Sequence, residues 1–102
     1  MNAAPTPLSN STALSLTGGG AIIEGLIARG VNTVFALASA QIYGLTDALA
    51  RNQNRIRTIG ARHEQTSGYM AFGYARASVR PGVFAVVLGP GILNASAALL
   101  TA

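Results

Sequence analysis

Residues 83–91 read VFAVVLGPG, an unbroken apolar run from Val83 to Leu88 that meets Gly89-Pro90-Gly91 at once. A strand that alternates apolar and polar residues has one wet face. A strand that does not alternate is expected to be buried on both faces, as in a parallel sheet between helix layers. The Gly-Pro-Gly triplet turns the chain, and Ile92, Leu93, Ala97 and Leu100 then resume a helical pattern. Strand, tight turn and helix in immediate succession are one half of a βα crossover unit.

The rest of the chain repeats that alternation. Upstream, Arg80-Pro81-Gly82 separates the run from a helix over His63–Ser78. Arg55–Gly60 (RIRTIG) reads as a strand, and Leu45, Ala48 and Leu49 mark an amphipathic helix ending near Asn52. Ala38–Gln41 is a loop of small residues that follows a β-branched and aromatic strand, Val31–Leu37 (VNTVFAL). Ile22, Ile23, Leu26 and Ile27 lie at helical spacing, and Gly30 stops their helix. The order is helix–strand–helix–strand–helix–strand–helix with short connections. It predicts an α/β fold, a parallel sheet flanked by helices in a doubly wound, three-layer arrangement with right-handed crossovers. Met1–Leu16 carries Pro5 and Pro7 and no helical period, so a flexible arm is expected there, with the domain spanning residues 17–102.

Composition narrows the function classes. Among 102 residues, 50% are hydrophobic and 10% charged, against about 25% charged in an average soluble domain. That balance excludes global disorder. The longest clean apolar run, Val83–Leu88, falls far short of the ~18 residues of a membrane span, so no membrane partner is expected. With no cysteine, a disulfide scaffold and a thiolate metal site are excluded, which fits a reducing, cytoplasmic setting. All seven basic residues are arginines, scattered from Arg29 to Arg80 and mostly at element ends. A nucleic-acid surface would gather them on one face, so no nucleic-acid partner is expected. The apolar surplus for so short a chain implies cover by a partner or by further polypeptide.

Candidate chemistry is sparse. One histidine and three acids (Glu24, Asp47, Glu64) do not make a metal shell. The absence of lysine excludes a P-loop. Gly89-Pro90-Gly91-Ile92-Leu93-Asn94 imitates a dinucleotide fingerprint, but Asn94 stands in place of the third glycine and Pro90 removes a backbone N–H. Glu64 follows the second strand and opens a helix at the carboxyl edge of the sheet, where α/β domains bind ligands. A carboxylate in a first turn also offsets the helix dipole, and on spacing alone that simpler role suffices. His63 beside it reads equally well as a capping or surface residue. Ser67, Gly68, Ala71, Ala75 and Ser78 recur at near-helical spacing and would let this helix approach a neighbour closely.

Taken together, Arg62-His63-Glu64-Gln65, then Gly73-Tyr74-Ala75-Arg76-Ala77, then a strand and Gly89-Pro90-Gly91 with Asn94 resemble a known pattern. It is similar to the N-terminal, pyrimidine-binding domain of thiamine-diphosphate-dependent enzymes of the acetolactate synthase and benzoylformate decarboxylase group, over Thr17–Ala102. The resemblance implies that Glu64 hydrogen-bonds a ring nitrogen of the aminopyrimidine and favours the imino tautomer that activates the thiazolium carbon. It implies that Gly89, Pro90, Gly91 and Asn94 border the cofactor, and that Ala38, Ser39, Gln41 and His63 lie toward the substrate. It also implies that Mg2+ and the diphosphate are held by a C-terminal domain bearing a Gly-Asp-Gly motif, usually from a second subunit of a homo-oligomer. This chain lacks that motif, so residues 17–102 are expected to be a partial domain, its sheet cut after three strands, inactive alone.

Two departures stand out within the resemblance. The loop after the first strand commonly reads glycine–x–proline–glycine, and here it is Ala36-Leu37-Ala38-Ser39. The strand before Gly89 commonly ends in small hydroxyl residues, and here it ends Val87-Leu88, expected to narrow the cleft. Two rival readings are a non-catalytic α/β interaction module and a nucleotide-binding domain resting on the Gly89–Asn94 turn.

Overall fold

The computed structural model describes residues 16–102, so nearly all of the expected N-terminal arm lies outside the described residues. Four helices and three strands alternate: α1 (Gly18–Ala28), β1 (Thr33–Ala36), α2 (Tyr43–Arg51), β2 (Arg57–Gly60), α3 (Glu64–Ser78), β3 (Phe84–Ala85) and α4 (Pro90–Thr101). A short 3-10 turn, Ala40–Ile42, leads into α2. The helix ends follow local chemistry. Thr17 Oγ1 accepts the Gly20 amide at 3.0 Å to open α1. Gly30, at φ +83°, takes the left-handed conformation just past the α1 C-cap. Pro90 sits in the first turn of α4, where its missing N–H costs nothing.

The sheet is parallel, in the order β2-β1-β3. The chain therefore steps from β1 to one side, crosses back over it, and lays β3 on the other. With right-handed crossovers the two connections fall on opposite faces. Accordingly α1 packs on α2, whereas α3 packs on α4 and on β1. Alternate residues of β1 serve the two faces. Val34 and Ala36 join Ile23, Ala48, Leu49 and Ile56 in the core beneath α1 and α2. Phe35 faces the other way, in an edge-to-face contact with Tyr74 of α3 at 5.8 Å between ring centroids. The expected three-layer α/β arrangement is what the structure shows.

One expectation is corrected. Val83–Leu88 was to be the strand buried on both faces, and only Phe84–Ala85 pairs as strand. Residues 83–87 are half-buried, and Leu88 is 63% exposed. The doubly buried strand is β1, every residue of which is buried. Strand order is the physical reason: β1 has a hydrogen-bonded neighbour on each side, while β3 pairs only with β1 among the described residues.

The two helices on the β3 side meet through small residues. Gly91, Ala95 and Ala98 are the buried residues of α4, and Ser67, Gly68 and Ala71 those of α3. A Cβ built on Gly68 would stand 2.7 Å from the Ala98 methyl, so glycine there sets how closely the helices approach. The recurring small residues of the sequence therefore do the packing work expected of them.

Candidate functional site

Placement at the sheet's carboxyl edge brings two helix starts together. α3 opens directly after β2, and α4 opens directly after the Val86–Gly89 segment that leaves β3. Close packing of α3 on α4 then sets Glu64, the first residue of α3, beside the first turns of α4. Asn94 Nδ2 donates to Glu64 Oε1 at 3.1 Å across 30 residues of sequence. On the other side of the carboxylate lies Gly91. A Cβ built there would reach within 3.6 Å of Glu64 Oε2 and 2.5 Å of Val87 Cγ1. Gly89, at φ +70° and ψ −119°, holds a conformation that suits glycine and lets the chain swing from β3 into α4.

These contacts set the charge state. Glu64's own backbone N–H, then the Asn94 amide and the adjacent His63 hold its carboxyl below the ordinary carboxylate range, against partial desolvation. Near neutral pH the group is an anion with Oε1 engaged by Asn94, while Oε2 accepts no side-chain donor among the described residues. Such a carboxylate can accept a hydrogen bond from, or share a proton with, a weakly basic nitrogen placed before it.

The remaining candidates divide. His63 is the N-cap of α3, its Nδ1 accepting the Gln65 amide at 3.0 Å, so the capping role read from sequence is realised. Pro90 lies between Gly89 and Gly91 at the α4 start. Ala38 instead borders a cavity of about 390 Å³ with Leu49, Thr58 and Ala61, toward α2. Ser39 precedes the 3-10 turn, and Gln41 within it is exposed. No hydrogen bond among the described residues joins Ala38, Ser39 or Gln41 to Glu64 or Asn94.

One feature escapes sequence reading. Ser67, one turn beyond Glu64, is wholly buried, and its hydroxyl has no partner among the described residues. Serine in a helix carries no local signal of that kind. Among the described residues no three His, Cys, Asp or Glu side chains cluster as a metal shell, and no helix is long and apolar enough to cross a membrane.

A three-layer α/β domain with an anionic carboxylate between two helix starts, at the carboxyl edge of its sheet, defines a ligand-binding domain. Residues 16–102 match the family described as thiamine pyrophosphate enzyme, N-terminal TPP binding domain. The chain is 41% identical over 85 residues to the probable 2-ketoarginine decarboxylase AruI of Pseudomonas aeruginosa, covering 83% of this chain and 15% of that protein. It is 39% identical over 88 residues to the mitochondrial acetolactate synthase catalytic subunit of Saccharomyces cerevisiae, covering 86% and 13%. With the acetolactate synthase of Bacillus subtilis the identity is 40% over 81 residues, covering 79% and 14%. The chain belongs to the thiamine pyrophosphate enzymes, as the N-terminal TPP-binding domain of the acetolactate synthase-like group. It spans about one seventh of the length of these relatives. Membership in this family counts against the non-catalytic interaction module.

Proposed function

We propose that this domain binds the pyrimidine end of thiamine diphosphate and that Glu64 is the acid that exchanges a proton with it. The single observation that carries this reading is the Glu64 carboxylate, engaged at Oε1 by Asn94 and without a side-chain donor at Oε2 among the described residues, beside a glycine whose missing side chain leaves room. The donor set fits the group: a carboxylate held on one oxygen can meet a ring nitrogen with the other, at a distance fixed by two helix starts. Thiamine diphosphate, when bound, supplies a carbon centre able to stabilise carbanions next to a 2-keto acid carbonyl. The chain's own part is to orient the pyrimidine edge, through Gly89–Gly91 and Asn94, and to move the proton at Glu64 Oε2.

By the same reading Ala38, Ser39, Gln41 and His63 lie on the substrate side. Mg2+ and the diphosphate are held by polypeptide outside these residues, from a second subunit of a homo-oligomer in the cytoplasm. The parent reaction is carboligation or decarboxylation of a 2-keto acid, in line with the names its relatives carry.

The test grafts residues 16–102 in place of the matching segment of the Bacillus subtilis acetolactate synthase. Deuterium exchange at the thiazolium carbon of bound thiamine diphosphate is then followed by NMR. Glu64→Gln is expected to slow the exchange by about 10²–10⁴-fold, the usual worth of a positioned acid or base. Unchanged exchange in that variant would remove Glu64 from the role.

A further inference from the structure

Val87 sits at the far side of the point on which the site converges. A side chain on Gly91 would stand 2.5 Å from Val87 Cγ1, 3.4 Å from its Cβ and 3.6 Å from Glu64 Oε2. The valine methyl and the carboxylate oxygen therefore flank the same spot on the α4 backbone. Gly91 is buried, Val87 is half-buried, and Asn94 stands less than a turn further along α4. Nothing charged competes in this arrangement, because residues 83–102 contain no ionisable side chain. The ionisable group acting on Glu64 is His63, its neighbour in the β2–α3 connection, where Arg62 also lies in sequence. The position of the α4 start, and hence of the Asn94 amide on Oε1, is then set by packing, against α3 along the seam and against Val87 at Gly91. β-Branched Val87, stiff at χ1, is the partner at Gly91.

We propose that Val87 is a positioning residue for the Glu64 carboxylate: by bearing on Gly91 it sets the start of α4 so that Asn94 holds Oε1 and no side-chain donor takes Oε2. This rests on the reading of Glu64 given above, yet it can fail alone, because its test needs no cofactor.

The experiment is a pH titration of the side-chain carboxyl carbons of the 102-residue chain by NMR, in which Glu24 and Asp47 serve as internal references. In Val87→Ala, Glu64 is expected to titrate at higher pH, moving toward the ordinary glutamate value of about 4.3. Glu24, paired with Arg55 on another face, stays where it is. Val87→Ile keeps both branches and adds no donor, and is expected to leave Glu64 unmoved. Gly91→Ala, whose methyl meets Val87, is expected to raise Glu64 as Val87→Ala does. The double variant Val87→Ala/Gly91→Ala, in which one methyl replaces another, returns it. These last two variants carry the test should Val87→Ala not fold. The proposal is overturned if Glu64 titrates alike in all folded variants, or if Glu24 moves with it, since general loosening would shift both. Loss of the thiazolium exchange effect of Glu64→Gln with this titration pattern intact would sink the cofactor role of Glu64 and leave Val87 its structural one.

Discussion

At the scale of single residues, Glu64 carries a charge whose cost and benefit depend on pH. Its carboxyl is held below the ordinary range by its own amide, by Asn94 and by His63. A group with a depressed folded-state pKa stabilises the fold above its unfolded pKa, and that contribution disappears as pH falls through the folded value. Glu24, hydrogen-bonded by both terminal nitrogens of Arg55 at 2.7 and 2.8 Å, behaves in the same sense. Both carboxylates keep some exposure, so solvent screening limits what each is worth. Asn94→Ala removes one donor from Glu64 and none from Glu24. Urea unfolding midpoints measured between pH 7 and pH 3 are therefore expected to fall less steeply in Asn94→Ala than in the parent chain. Parallel profiles would mean that the Asn94 contact leaves no mark on the Glu64 titration. The pairing itself was hidden from local reading. Nothing in residues 62–65 or 89–94 announces that a carboxylate and an amide 30 positions apart will meet, and the resemblance named them without the distance.

At the scale of elements, the α3–α4 seam is what makes that meeting possible. Gly68 lies against Ala98, so the helices approach at the distance small residues allow. Gly68→Ala trades a better helix former, worth up to about 1 kcal/mol, against overpacking of roughly 1–3 kcal/mol in a closed seam. A net loss of about 1 kcal/mol is expected from thermal or urea unfolding, and Ala98→Gly in the same chain should recover much of the overpacking. Additive single effects would place Gly68 outside the contact. This seam was legible in advance, since Ser67, Gly68 and Ala71 recur at helical spacing. The β3 strand was misjudged for an equally physical reason. Composition tells how apolar a strand is but not how many neighbours it has, and the central place went to β1, whose buried residues include Thr33. Strand order follows from crossover direction and helix packing, which no single segment encodes.

At the scale of the molecule, the apolar surplus noticed in the composition reaches the surface on several elements, with Val79, Tyr43 and Ile22 exposed as well as a group around α4. Leu88, Ile92, Leu93, Leu99 and Leu100 are all exposed, the last at 90%, and all belong to α4 or the turn before it. The matched segment is about one seventh of each relative, and the described residues hold neither a P-loop nor a cluster of metal-binding side chains. On the proposed reading Glu64 meets the pyrimidine, and the groups that grip the diphosphate belong to polypeptide outside the described residues. Those groups supply most of the binding energy that a doubly charged anion can offer, through backbone N–H donors and a cation. The 102-residue chain, mixed with pyruvate, thiamine diphosphate and Mg2+, is accordingly expected to release no carbon dioxide above the protein-free rate. The graft that supplies the remaining domains is expected to do so. Cofactor-dependent turnover by the chain alone, abolished in Glu64→Gln, would show that these residues suffice and that the diphosphate is gripped by groups within them.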